Sequence, residues 1–191
     1  MSVDYERMAE IAEELSRHIL EEVRAVEISG EEIVMMMSPG NQHELIVRRV
    51  GKQLDAQVDR QGVDLIAHGG ADLEDRAVGV RRRPDVMVFP ESCLETGEAV
   101  HPHEGEVEVG VVVVSRTNPE NGYEGKTRDY PAMGIPYHLL LDPRKGNGAL
   151  CSGIHRTPEG PRYGTSTEFA FGETVRVGDW TVDTSVFPTY G

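Results

Sequence analysis

The chain is poor in cysteine, in aromatic residues and in basic charge, and it contains no long apolar run. Its two cysteines, Cys93 and Cys151, are too few for a disulfide framework. They could close one bridge, and their spacing fits no metal knuckle. Only 19 lysines and arginines stand against 33 aspartates and glutamates, a net charge of −14 at pH 7. Tight, non-specific nucleic-acid binding draws on cations that neutralise phosphates, so most of this surface should repel DNA. The longest apolar stretch is far too short to cross a bilayer. The opening MSVDYERMAEIAEEL is acidic and amphipathic, unlike a secretory signal, and the cytoplasm is the expected compartment.

What is present is enough for one folded unit. With 191 residues, 38% hydrophobic and 27% charged, the chain can bury a core and has no composition for disorder. A single domain over 1–191 is expected, with an N-terminal helix within 1–25 and C-terminal strands over 143–191. Met8, Ile11, Ala12, Leu15, Ile19 and Val23 recur at three- and four-residue spacing, which predicts an amphipathic helix over 3–24. AVEISGEEIVMMM reads as a hairpin turning near Gly30. A second helix should start at a cap on Ser38 or Asn41 and bury Ile46, Val50 and Leu54.

The strands VDLIAHG and DVMVFP follow, then a Pro-, Glu-, Gly- and His-rich surface loop over 90–106. EVGVVVV has the composition of a strand buried on both faces. A polar turn, a helix over 122–133 and the strand YHLLLD complete a crossover unit, so the central sheet is expected to be mixed. Short alternating strands separated by Gly and Pro end the chain.

The basic residues cluster twice. Arg48, Arg49 and Lys52 read as a solvated helix face. Arg81, Arg82 and Arg83 directly precede a candidate site, and a surface role and a site role are equally open for them. Pro84-Asp85 puts a carboxylate at the mouth of a hydrophobic strand, where it could bind a hard divalent cation or merely cap a turn. His68, His101, His103, His138 and His155 are scattered without metal-ligand spacing, and His101 and His103 lie in the expected surface loop.

Taken together, SPGNQHELIV, RPDVMVFPE and VVVVSRTNPENGYEGKTRDYPAMGIPYHLLLDPR resemble the Uma-two family of restriction-endonuclease-like proteins, a branch of the PD-(D/E)XK nuclease superfamily. The resemblance runs over nearly the whole chain. It implies an α/β restriction-endonuclease-like fold, a mixed central sheet flanked by helices. It also implies a Mg²⁺-dependent DNA endonuclease acting as a homodimer. Asp85 takes the place of the family's metal-binding aspartate, Lys126 that of its helical lysine, and His43, beside Glu44, that of its helix histidine. Tyr130 lies one turn beyond Lys126. By their residue types alone, His43 could as well pack at a helix start, Tyr130 fill core and Lys126 sit in solvent.

The departures matter more than the matches. Family members carry Glu-Val-x-Ser where this chain has Val112-Val113-Val114-Ser115, and an aspartate ahead of the lysine where it has Gly122. Valine supplies no oxygen to a metal. Glu108 shares the strand face of position 112 but lies about 13 Å along the strand. Glu44 is therefore the expected second carboxylate, and Asp85 with Glu44 could hold a weak, water-rich site. Three functions follow: an endonuclease rebuilt on Asp85, Glu44 and Lys126; a degenerate member that binds without hydrolysing; or a small-molecule enzyme reusing the cleft. The missing acids favour the second over the first.

Overall fold

The computed structural model describes residues 5–18, 22–102 and 107–190. Its centre is the valine strand. Strand β7, Val109–Val113, is buried at every position and lies between β6 (Val86–Phe89) and β8 (Tyr137–Asp142). It runs antiparallel to β6, with Val86 opposite Val111, and parallel to β8, with Val112 opposite Leu140. The full sheet is mixed and six-stranded, in the order β10-β9-β8-β7-β6-β3, where β3 is Ile66–His68, β9 Asn147–Thr157 and β10 Gly160–Ala170. The strand expected to be buried on both faces is thus found, in a mixed sheet.

Side chains alternate across this sheet, so each face has its own core. Val109, Val111 and Val113 face the long helix α2 (Asn41–Gln61) through Ile46, Val50, Leu54 and Val58. Val112 and Val114 face the opposite way, toward Met87, Phe89, Tyr130 and Leu140. Gly110 is needed on that second face because a Cβ there would lie 2.8 Å from the Tyr130 ring.

A smaller sheet, β2-β1-β5-β4, stands beside the large one. It comprises β1 (Val23–Ser29), β2 (Glu32–Met37), β4 (Leu73–Asp75) and β5 (Val80–Arg82). Between β7 and β8 the chain forms a π-helical segment, Asn121–Lys126, which runs straight into α3, Thr127–Ala132.

Strands β11 (Thr174–Val177) and β12 (Trp180–Asp183) form a two-stranded ribbon whose outer edge is covered by α2. Gln57 accepts from the Thr181 amide at 3.0 Å and donates to its carbonyl at 2.7 Å. Gln53 does the same for Asp183, and Gln61 accepts from the Trp180 indole N–H. One helical turn matches two strand residues closely enough for the glutamines to stand in for a missing strand.

Several expectations need correction. Helix α1 spans Tyr5–Arg17, and Val23 opens β1 instead of closing the helix. Ile19 lies outside the described residues. The buried face of α1 is Tyr5, Ala9 and Ala12, whereas Ile11 and Leu15 are exposed. The C-terminal strands are not all short: β9 (Asn147–Thr157) and β10 (Gly160–Ala170) have 11 residues each. In the expected loop, Glu91–Leu94 is a 3₁₀ turn and buried Val100 bridges to Leu73. His101, expected at the surface, is half-buried against the Glu74 carbonyl, while His103 lies outside the described residues. No helix among the described residues is long and apolar enough to cross a membrane.

Candidate functional site

The pairing of β6 with β7 places Asp85 at the end of β7. The Asp85 amide donates to the Val111 carbonyl at 3.0 Å, and its Oδ2 accepts from the Val113 amide at 2.8 Å. From the first turn of α2, His43 Nε2 bonds Asp85 Oδ1 at 3.0 Å. Both carboxylate oxygens are therefore engaged by the protein. Burial pushes the Asp85 pKa up, but the His43 bond and charge, Lys126 and the Val113 amide together hold it below the usual aspartate value.

Lys126 ends the π-helical segment and is buried, not solvated. Its Nζ lies 3.0 Å from Glu27 Oε1 and donates to the Arg83 carbonyl at 2.9 Å. Glu27, in β1, is itself 1% exposed and collects four donors. Besides Lys126 these are the Arg83 amide at 2.9 Å, Arg82 Nη1 at 2.8 Å and Asn121 Nδ2 at 3.2 Å. Burial raises the Glu27 pKa, and the charges of Lys126 and Arg82 bring it below the ordinary value.

Arg82 is equally buried and binds Asp129 through Nε at 2.8 Å and Nη2 at 2.6 Å. Gly125 makes room for that guanidinium, since a Cβ would stand 2.9 Å from Arg82 Nη2. The three arginines thus divide. Arg82 is an internal counter-ion, Arg81 pairs with Glu74, and Arg83 grips Asp72 through two bonds. Arg48 and Lys52 are exposed on α2, as a solvated face requires, and Arg49 reaches the Val186 carbonyl.

His43, Asp85 and Lys126 line one cleft, together with Arg24 and Arg83, residues 35–37 of β2 and the end of β7. Its space for water-sized molecules is about 60 Å³, and beyond that it opens to solvent. Glu44 is not among its lining residues. The Glu44 side chain is half exposed and faces Arg24 at 3.4 Å, while Arg24 lies 3.6 Å from Asp85, so the guanidinium stands between the two acids. Tyr130 is also outside the cleft, fully buried with its ring edge against His138 at 4.9 Å. Glu27, the best-bonded acid of the site, was not anticipated. It pairs with a residue 99 positions away, so no local spacing announces it.

The positions of the two missing acids touch. A Cβ on Gly122 would lie 3.4 Å from Val112 Cγ1, 3.5 Å from Leu140 Cδ1 and 3.6 Å from Val114 Cγ2. At the two positions where the resemblance implies acids, this protein has a valine and a glycine lined by methyl groups. A Mg²⁺ ion needs near-octahedral oxygen coordination, usually with one or two carboxylates. Among the described residues no group of three or more His, Cys, Asp or Glu side chains is arranged to hold a metal. Asp85, the one carboxylate lining the cleft among the described residues, has both oxygens engaged. The donor set does not fit the ion.

Mixed sheet, crossover helix and strand-end aspartate together define a nuclease-like α/β fold. A crystal structure of a putative nuclease of the DUF820 family from Anabaena variabilis superposes with a TM-score of 0.63. It is 14% identical and covers 91% of this chain and 92% of that one, a likeness that shows the fold. Residues 8–179 match the model of the family Uma2, described as a putative restriction endonuclease, and the chain belongs to that family. No curated protein matches it.

Proposed function

We propose that this chain is a Uma2-family protein that keeps the nuclease-like fold and cleft but does not hydrolyse phosphodiesters. The observation that supports this reading most directly is that Val112 and Gly122 are neighbours, a Cβ at 122 lying 3.4 Å from Val112 Cγ1, and neither supplies a carboxylate. Metal-assisted hydrolysis needs anionic ligands that fix the ion and activate its water. Asp85 alone, bound by His43 and the Val113 amide, does not supply them.

The remaining charges are held in internal pairs. Lys126 could stabilise developing negative charge only as part of its pair with Glu27, which weakens its field in the cleft. DNA is the partner that the family implies, and the net charge of −14 opposes it over most of the surface. A single domain, a homodimer and a cytoplasmic location complete the proposal.

The test is direct. Unmodified protein should show no heat of Mg²⁺ or Mn²⁺ binding in the millimolar range, and it should leave supercoiled plasmid intact with either ion. Metal-dependent nicking that Asp85→Ala abolishes would instead support an endonuclease with a rebuilt site.

A further inference from the structure

The cleft that remains has a consistent chemistry of its own. One wall is apolar: Val112 and Val114 at the end of β7, with Met35 and Met37 at the rim of β2. Those two methionines are 55% and 51% exposed, and methionine adapts its shape to whatever covers it. The other wall offers hydrogen-bond donors. Lys126 Nζ is nearly inaccessible, and Glu27 and the Arg83 carbonyl occupy two of its three N–H groups. Among the described residues it has no third hydrogen-bond partner. Arg24 touches Glu44 and Asp85 only loosely, at 3.4 and 3.6 Å, so its five donors are not used up.

Acceptors are scarce by comparison. Among the described residues Asp85 is the only carboxylate in the lining, and its oxygens are engaged by His43 and the Val113 amide. The acids that balance the cations, Glu27, Glu44 and Asp72, are not among the lining residues. The free capacity of the cleft is therefore cationic and donor-type on one side and apolar on the other.

We infer that the cleft is a binding site for a small organic anion with an apolar body, a carboxylate, sulfonate or phosphate monoester on an aliphatic chain. The anion meets Arg24, with Lys126 behind it, and the chain lies along the exposed Met35 and Met37 against the edge of Val112 and Val114. The exposed methionines leave the rim open, so the chain of the ligand need not be enclosed. This inference rests on the non-hydrolytic reading, because a bound metal would compete for the same ground.

Octane-1-sulfonate is the probe, titrated calorimetrically below its micellar range into the full chain. It should bind one to one, with inorganic phosphate and octan-1-ol each at least tenfold weaker, since each supplies half of the recognition. Met35→Glu, at an exposed position that does not threaten folding, and Arg24→Gln should each weaken the sulfonate at least tenfold. Absence of binding overturns the inference, and so does affinity unchanged in both variants. Phosphate bound as well as the sulfonate would show a bare anion site, and octanol bound as well would show a merely apolar patch. Tighter binding of adenosine 5′-monophosphate would show a nucleotide site, and each of these results overturns the inference. A parallel plasmid assay separates the two levels: Mg²⁺-dependent nicking by the same sample sinks the non-hydrolytic reading, whereas no binding with no nicking sinks only the ligand class.

Discussion

Restoring the two missing acids should give the protein a metal dependence it does not have. The double variant Val112→Glu with Gly122→Asp fits the backbone. A Cβ at 122 makes only ordinary contacts with Val112, Leu140 and Val114, and the Val112 methyl it meets is removed by the partner substitution. Without metal, the two new carboxylates would stand side by side in a site where Val112 is only 3% exposed. Two like charges about 4 Å apart repel by roughly 4 kcal/mol at an effective dielectric constant of 20. For a chain of this size each kcal/mol shifts Tm by about 2–4 °C, so the metal-free variant should melt about 8–16 °C below the parent.

Metal reverses the sign. If the rebuilt site binds Mg²⁺ a hundredfold below the working concentration, mass action returns about 2.7 kcal/mol, a rise of about 5–11 °C. Differential scanning calorimetry with and without 100-fold excess metal reads both effects, and the parent serves as control with no shift expected. A parallel assay on supercoiled plasmid should show nicking by the double variant alone. The reasoning is refuted if the parent melts higher in Mg²⁺ by the same margin, because the native donors would then already form the site. It fails equally if the variant gains no stability from metal, because positions 112 and 122 would then not converge on Asp85.

Other substitutions probe the charge network and the packing around it. Lys126→Met leaves Glu27 with only part of its compensation and should cost about 3–5 kcal/mol in urea unfolding, most of it recovered in combination with Glu27→Gln. A double variant no more stable than Lys126→Met would show that the pair is not coupled. Gly110→Ala drives a methyl into the Tyr130 ring and should cost about 1–3 kcal/mol, with Tyr130→Leu relieving it. Gln57→Ala removes all three side-chain bonds to Thr181 and should speed amide exchange at Thr181 selectively, at about 1–2 kcal/mol of stability. His138 gives a pH signature: burial and then the Lys126 charge lower its pKa from 6.5 to about 3. The unfolded chain binds that proton first, so stability is full above pH 6.5 and declines toward pH 3. The loss is about 1.4 kcal/mol per unit once below 6.5, and His138→Phe should flatten the profile between pH 6.5 and 4.5.

The parts of the molecule legible in the sequence were those with a local signature. The period of α2 and the run of valines in β7 each carry their burial in their own spacing, and the structure has both. The motif positions Asp85, His43 and Lys126 were readable through resemblance, and the fold gathers them in one cleft. What stayed hidden depends on distant partners. Glu27 looks like an ordinary charge in a hairpin strand until β1 is set beside the π-helical segment and Lys126 reaches it. Arg82 could not be told from a surface arginine, because its burial is decided by Glu27 and Asp129, 55 and 47 residues away. Glu44 was chosen as second ligand for its place beside His43, yet one step along a helix turns a side chain by about 100°, and it faces Arg24 instead.

The charges that remain in the site differ from those that are missing in one physical respect. Asp85 has His43 and an amide, Glu27 has Lys126 and Arg82, and Lys126 has Glu27, so each is offset within the protein whether or not a metal is bound. Carboxylates at both 112 and 122 would instead add two like charges side by side, since a Cβ at 122 lies 3.4 Å from Val112 Cγ1. The side-chain groups within 4 Å of a Cβ at 122 are methyls of Val112, Val114 and Leu140, which donate nothing, so the pair would compete for the few donors of the cleft, a cation or water. A metal-free site therefore gains stability from losing those two acids and would lose it from giving up Asp85, Glu27 or Lys126. Losing one acid of the touching pair would still leave the other buried against hydrocarbon. Exchange of both for valine and glycine is the arrangement in which the metal-free cleft is charge-balanced, and it leaves the apolar wall that the inferred ligand requires.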